Sequence, residues 1–183
     1  MLREKYRPAR VVVLFIGESP PLPKDPSMVP YFYNEKEDRP RGLYRRIASA
    51  LGLEEPKAEG LKDFKSRNLW LTDIFDEPVN NVKTEDVEKH LDRLIREIKE
   101  TNPRKIIALL PKKVQNQIFL YFLRRYASPN IEVFHVNPWA ESQEKLKNSL
   151  SEFLKESQRH ERLPTNVMKA NTEREGFAGN DGF

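Results

Sequence analysis

The sequence predicts an α/β/α sandwich around a central, mainly parallel sheet of about four strands, and three observations carry that expectation. Short β-branched and aliphatic runs alternate with amphipathic helical stretches along most of the chain. The first run, Val11 to Gly17 (VVVLFIG), is continuously apolar, as a strand buried on both faces must be. The 183 residues give room for one core of ordinary size, and no internal repeat divides them.

The elements follow in order. After the first strand comes a proline-rich loop, then Leu43 to Leu53, where Leu43, Ile47, Ala50 and Leu51 share one face and Gly52 sits near the end: a short helix. Leu69 to Phe75 (LWLTDIF) is the second strand. Thr84 can cap a long helix whose apolar stripe is Val87, Leu91, Leu94, Ile95 and Ile98, and Pro103 stops it. Ile106 to Leu110 is the third strand. Val114, Ile118, Phe119, Phe122 and Leu123 describe a third helix, Ile131 to Val136 a fourth strand, and Ser142 to Glu156 a last helix with Leu146, Leu150, Phe153 and Leu154. The domain is expected to span 1–157. From Gln158 to Phe183 periodicity ends and the charges cancel, which reads as a mobile tail or as a partner-docking segment using Phe177 and Phe183.

Composition narrows the function classes. Charged residues make up 33% of the chain, against about 25% in ordinary domains, and no apolar run is long enough to span a bilayer. There is no cysteine, so thiol nucleophiles, thiolate metal sites and disulfides are excluded. Met1 to Arg10 lacks the apolar segment of a signal peptide. A soluble, cytoplasmic, monomeric protein without membrane contact, cofactor or metal is expected. Lys and Arg exceed Asp and Glu by four, a mild tilt towards polyanions.

Parallel sheets bind ligands at the carboxyl ends of their strands, near the point where strand order reverses. The residues to weigh are therefore Gly17-Glu18-Ser19-Pro20-Pro21, Thr72-Asp73-Ile74-Phe75-Asp76, Pro111-Lys112-Lys113 and His135-Val136-Asn137-Pro138-Trp139. Between Glu18 and Arg41 lie six of the 14 prolines, no glycine, and the cluster Tyr31-Phe32-Tyr33-Asn34. A stiff loop with aromatics beside a carboxylate suits a flat, stacked ligand; equally, Tyr31 and Tyr33 could cover the edge of the sheet. The glycines of a phosphate-cradling loop are missing.

The strand followed by GESPP, then PYFYN, an amphipathic helix, LWLTDIF, a long helix, IIALL and VFHVNPWAES resembles the order of parts in the uracil-DNA glycosylase superfamily, over about residues 10–157. The likeness is to members with a GESPP-type first motif. The chain departs from the family in having Asn137-Pro138 where a His-Pro is common and Asp73 where many members carry Asn. It also lacks the cysteines of the cluster-binding branches.

The resemblance implies hydrolysis of an N-glycosidic bond in DNA or another nucleic acid. Such a reaction builds positive charge on the sugar and negative charge on the departing base. Glu18 would position water and steady the sugar. Phe32, or Tyr31 if the loop is offset by one, would stack on a flipped base. Asn137 would donate to a base carbonyl and Asp73 accept from a ring N–H. Trp139 stands where the family carries the residue that wedges into the duplex. Lys112 and Lys113, with Arg41, Arg45 and Arg46 beside the first loop, would contact phosphates.

Plainer roles stand beside these. Glu18 and Asp73 could hydrogen-bond loop amides, Trp139 could be a lid on the core, His135 a structural strand-end residue, and His90 a solvated one. The charges of Glu85 to Glu100 nearly balance and read as a solvent face. From Arg104 through Ile131 there are six basic residues and no acid. Besides the phosphate role, that run reads as solvated charge, with Arg124 and Arg125 complementing a helix C-terminus. A non-catalytic binding protein of the same fold is the second functional expectation. An esterase of the SGNH type is the third, because Gly17-Glu18-Ser19 resembles its nucleophile motif; its His would have to be His135, with Glu132 in the place of Asp.

Overall fold

The computed structural model describes residues 2–20, 31–36, 42–53, 55–75, 84–111, 114–126 and 129–159. Strand β1 (Val13–Gly17) lies between β2 (Leu69–Asp73) and β3 (Lys105–Leu109), with β4 (Glu132–Val136) outside β3, and every pairing is parallel. The helices are α1 (Leu2–Lys5), α2 (Gly42–Leu51), α3 (Lys57–Ser66), α4 (Thr84–Thr101), α5 (Val114–Tyr126) and α6 (Gln143–Arg159). The protein is thus an α/β sandwich on a four-stranded parallel sheet, as its alternating pattern predicts. Helix α6 continues through Gln158 and Arg159, two residues into the segment expected as a tail; the rest of that segment, and the proline run of the first loop from Pro21 to Pro30, lie outside the described residues.

The register assigns the layers. Parallel partners point to the same face, so Phe15, Leu71 and Ile107 share one face and Leu14, Trp70 and Ile106 the other. Phe15 packs on Phe64 of α3 and Phe134 stacks on Phe153 of α6, while Trp70 bonds to Glu97 of α4. Hence α3 and α6 cover one face and α4 the other; α2 packs on α6 and α5 on α4. The core side chains of β1 are at most 2% exposed. Among the described residues no helix is long and apolar enough to cross a membrane.

Two short helices escape the pattern reading. α1 has four residues, and α3 (KAEGLKDFKS) offers only Leu61 and Phe64 as large apolar anchors around Gly60. The end of α3 does carry a stop signal, Asn68 at φ 60°, as do Gly52 (φ 60°) after α2 and Asn102 (φ 41°) after α4. These left-handed positions suit Gly and Asn and close the last helical turn.

The edge of β2 is closed by a side chain. The Tyr33 hydroxyl accepts from the Leu71 N–H at 2.8 Å and donates to the Leu71 carbonyl at 3.0 Å, so one phenol satisfies both outward backbone groups of that residue. Tyr33 is fully buried among Tyr6, Phe32 and Trp70. On the α4 face, Glu97 is only 7% exposed, against the solvated role its helix suggests. It accepts from Trp70 Nε1 at 2.9 Å and Thr72 Oγ1 at 2.8 Å, and Arg93 and Arg3 lie 3.4 and 3.7 Å away. His90, likewise expected in solvent, meets the Phe75 ring edge-on.

Burial holds the Tyr33 phenol well above its ordinary value of 10.0. The folded state then keeps a proton that the unfolded chain releases, so this contribution is intact below pH 10 and is lost as pH rises above it. Stability should fall by up to about 1.4 kcal/mol per pH unit above that point. Tyr33→Phe should cost about 1–3 kcal/mol at neutral pH and flatten the alkaline slope, leaving the part due to Tyr44 and Tyr6, which burial also raises. Denaturant titrations at several pH values check both; an unchanged slope would refute the assignment.

Candidate functional site

Sheet topology sets where a site can form. The chain steps from β1 outward to β2, then crosses back to β3 on the other side of β1, so strand order reverses between β1 and β3. Glu18 follows β1, Asp73 ends β2 and Asn137 follows β4, which puts the three on the carboxyl edge of one sheet. At about 4.8 Å between neighbouring strands, β2 and β4 stand roughly 14 Å apart.

At the β1–β2 end the chain is tightly stapled. Ile74 N–H donates to the Gly17 carbonyl at 2.9 Å and Phe75 N–H to the Glu18 carbonyl at 3.1 Å, continuing the ladder past both strands. Arg93 of α4 donates to the Asp73 carbonyl and to the Ile74 carbonyl, the latter at 2.8 Å. The Asp73 side chain leans over Gly17: a Cβ at Gly17 would lie 2.2 Å from Asp73 Oδ1 and 3.8 Å from Leu43 Cδ2 of α2. A side chain there would force the Asp73 carboxylate to turn away from the end of β1.

Tyr31 stands close by, half-buried and edge-on to Tyr33 at 5.9 Å, its carbonyl accepting from the buried Lys57 Nζ at 3.0 Å. The Tyr33 phenol is raised by burial first, with Tyr31 and Asp73 adding in the same direction, so these three groups sense one another at the end of β2. Phe32 is elsewhere. Its ring is 6% exposed and packs against Tyr33, Tyr44 and Phe64. Of the two aromatics considered for stacking, the structure makes Phe32 a core ring and leaves Tyr31 with accessible surface. Tyr33 takes the edge-covering role.

At the β4 end the loop is turned by Asn137. Its Oδ1 accepts from Trp139 N–H at 3.1 Å, and its carbonyl accepts from Ala140 N–H at 3.2 Å. Ser142 then caps α6, its Oγ accepting from Lys145 N–H at 3.2 Å. Trp139 is 55% exposed, so it is no lid on the core. Beneath it lies Arg46, with its guanidinium 6.0 Å from the ring centroid and Nη2 donating to the Glu141 carbonyl at 2.7 Å. Gln143 Nε2 returns a bond to the Arg46 carbonyl at 2.9 Å.

α2 therefore bridges the two ends: Leu43 faces Gly17, and Arg46, one turn on, holds the Trp139 loop. Arg46 rather than the exposed Arg45 makes that link. Its spacing just before the buried Ile47 is the signal in the sequence. Arg41, Lys112 and Lys113 lie outside the described residues. His135 Nε2 is 3.0 Å from the Leu110 carbonyl, a structural contact at the end of β3.

The basic run is not one surface. Arg104 precedes β3 and Lys105 opens it, and Arg124 and Arg125 lie in the last turn of α5, all towards the amino end of the sheet, opposite Glu18 and Asn137. Lys105 is 3% exposed, pairs with Glu132 at 2.9 Å and donates to the Phe153 carbonyl at 2.6 Å, so its charge is spent internally. Among the described residues no group of three or more His, Cys, Asp or Glu could hold a metal ion.

Gly17→Ala should destabilise the fold by about 1–3 kcal/mol through the clash with Asp73, and adding Asp73→Ala should recover most of it. A double-mutant cycle by denaturant unfolding checks this; additive losses would mean that the two positions do not interact.

No family model matches this chain, and no curated protein matches it.

Proposed function

We propose that the carboxyl edge of the sheet binds DNA and hydrolyses the N-glycosidic bond of a damaged or deaminated base, in the manner of the uracil-DNA glycosylase superfamily. The supporting observation is that three strand ends bring Glu18, Asp73 and Asn137 to one edge, beside an indole that is 55% exposed and tied to α2. In this reading the protein works as a cytoplasmic monomer.

The Glu18 carboxylate orients a water towards C1′ and offsets the charge growing on the sugar. The C1′–N bond breaks with its electron pair going to the base, the water oxygen bonds to C1′, and a proton from that water ends on the base. Asn137 already uses Oδ1 on the Trp139 N–H, which leaves its NH2 as the end to meet a base carbonyl. Asp73 accepts from a base N–H, which favours a base with more donors than uracil has. Tyr31 stacks on the extruded base and Trp139 fills the gap it leaves in the duplex. Arg41, Arg45, Lys112 and Lys113 are the phosphate contacts of this reading.

A second reading, nucleic-acid binding without chemistry, is favoured by one specific feature. Asn137 is a neutral donor and stabilises a departing base anion less than a charged one would.

Oligonucleotides carrying uracil, hypoxanthine, xanthine or a mismatch distinguish the two. Abasic sites should form with at least one lesion, and Glu18→Ala should slow their formation about a hundredfold or more. Trp139→Ala should weaken binding to a duplex while leaving the fold intact. Salt-dependent binding with no cleavage of any substrate selects the second reading, and loss of binding too rejects both. Hydrolysis of a short aryl ester that vanishes in Ser19→Ala would point to the esterase instead.

A further inference from the structure

α5 carries a surface that the strand-end reading leaves unused. No acidic residue occurs in α5 or anywhere from Arg104 through Ile131. Gln117, Tyr121, Arg124 and Arg125 are exposed and recur at i, i+4, i+7 and i+8, a single helical stripe. Together with Leu120 they line a shallow concavity of about 530 Å³. Tyr121 is 59% exposed. Arg125 Nη1 donates to its hydroxyl at 3.2 Å, which holds a guanidinium at the edge of an accessible ring.

Cations at the end of a helix also offset its dipole, and that accounts for Arg124 and Arg125. It does not account for a large ring kept in water beside them. A polymer that alternates phosphate with an unpaired base matches both features, since guanidinium forks suit phosphate oxygens and an exposed ring stacks on any base. An acidic peptide would use the charges and leave the ring idle, and a duplex keeps its bases inside the stack. The stripe from Gln117 to Arg125 is about 12 Å long at 1.5 Å per residue, the length of three or four stacked nucleotides at about 3.4 Å each.

We propose that this face of α5 is a contact surface for single-stranded nucleic acid, separate from the carboxyl edge. Arg124 and Arg125 hold phosphates, Tyr121 stacks on a base, and Gln117 bonds to a base edge. The surface does not depend on the glycosidic reading, because Arg124 and Arg125 lie towards the opposite end of the sheet.

Fluorescence anisotropy with a labelled ten-residue oligothymidylate, titrated against the full chain over a range of salt, tests the proposal. The doubly substituted Arg124→Ala, Arg125→Ala protein should bind about tenfold more weakly, with the slope of log K against log salt reduced by about 1.4, that is 0.7 for each lost phosphate contact. Tyr121→Ala should weaken binding about tenfold with the slope unchanged, and Tyr121→Phe should restore it. The same differences should persist in a Trp139→Ala background, which separates this surface from the strand-end site. Affinity within twofold of the unsubstituted protein in every α5 variant, or no binding of the oligonucleotide at low salt, would overturn the proposal. So would preferential capture of a labelled oligoglutamate lost on removing the two arginines, which would make the surface a peptide site. Thermal melts of each variant establish that these exposed substitutions leave the fold in place.

Discussion

A parallel strand cannot be followed by its parallel neighbour without a crossover, and the molecule is organised around that constraint. With β1 already buried on both faces, the crossovers must supply helices above and below the sheet, and all four strands must end on the same edge. The direction of winding reverses once, between β1 and β3. Whatever the chain does chemically at that edge, the backbone there is fixed by the sheet: Gly17 and Glu18 carbonyls accept from Ile74 and Phe75, and Leu110 N–H donates to the Val136 carbonyl at 3.2 Å. Glu18, Asp73 and Asn137 stand on that rim, and α2 ties its two ends together.

The fold was legible because its strands are of the most readable kind. Val13 to Gly17 and Lys105 to Leu109 are buried on both faces, so their composition alone marks them. α4 and α6 repeat apolar residues long enough to define a face. α3 is different: Lys57 is buried there because of what it touches, its Nζ bonding to the Tyr31 carbonyl, and no periodicity reports a contact with a distant loop. The edge-closing Tyr33 was one of two open possibilities in the sequence, and which aromatic of the cluster does it depends on the path of the loop.

Charge was the least legible property. Glu97, Lys57 and Lys105 count as surface residues in any pattern reading, yet each is buried against specific partners. A buried carboxylate such as Glu97 is tolerated only while its donors remain, so removing Trp70, Thr72, Arg93 or Arg3 would leave a desolvated charge behind. The candidate site was legible to a different extent. Strand ends can be located once the strands are known, so Glu18, Asp73 and Asn137 could be singled out. Their spacing, and the role of Arg46 beneath Trp139, come from helix packing that only three dimensions reveal.

The chain has two tryptophans, and the structure puts them in opposite surroundings. Trp70 is fully buried with its indole N–H on a carboxylate, whereas Trp139 is 55% exposed on the rim of the sheet. The molecule thus holds two intrinsic optical reporters that a soluble quencher can tell apart. Emission from the buried Trp70 should be blue-shifted and resistant to the quencher, and should follow the integrity of the core. Emission from the exposed Trp139 should be red-shifted and quenchable and should follow whatever arrives at the rim, so occupancy of that edge and unfolding would be told apart in the same sample without a label.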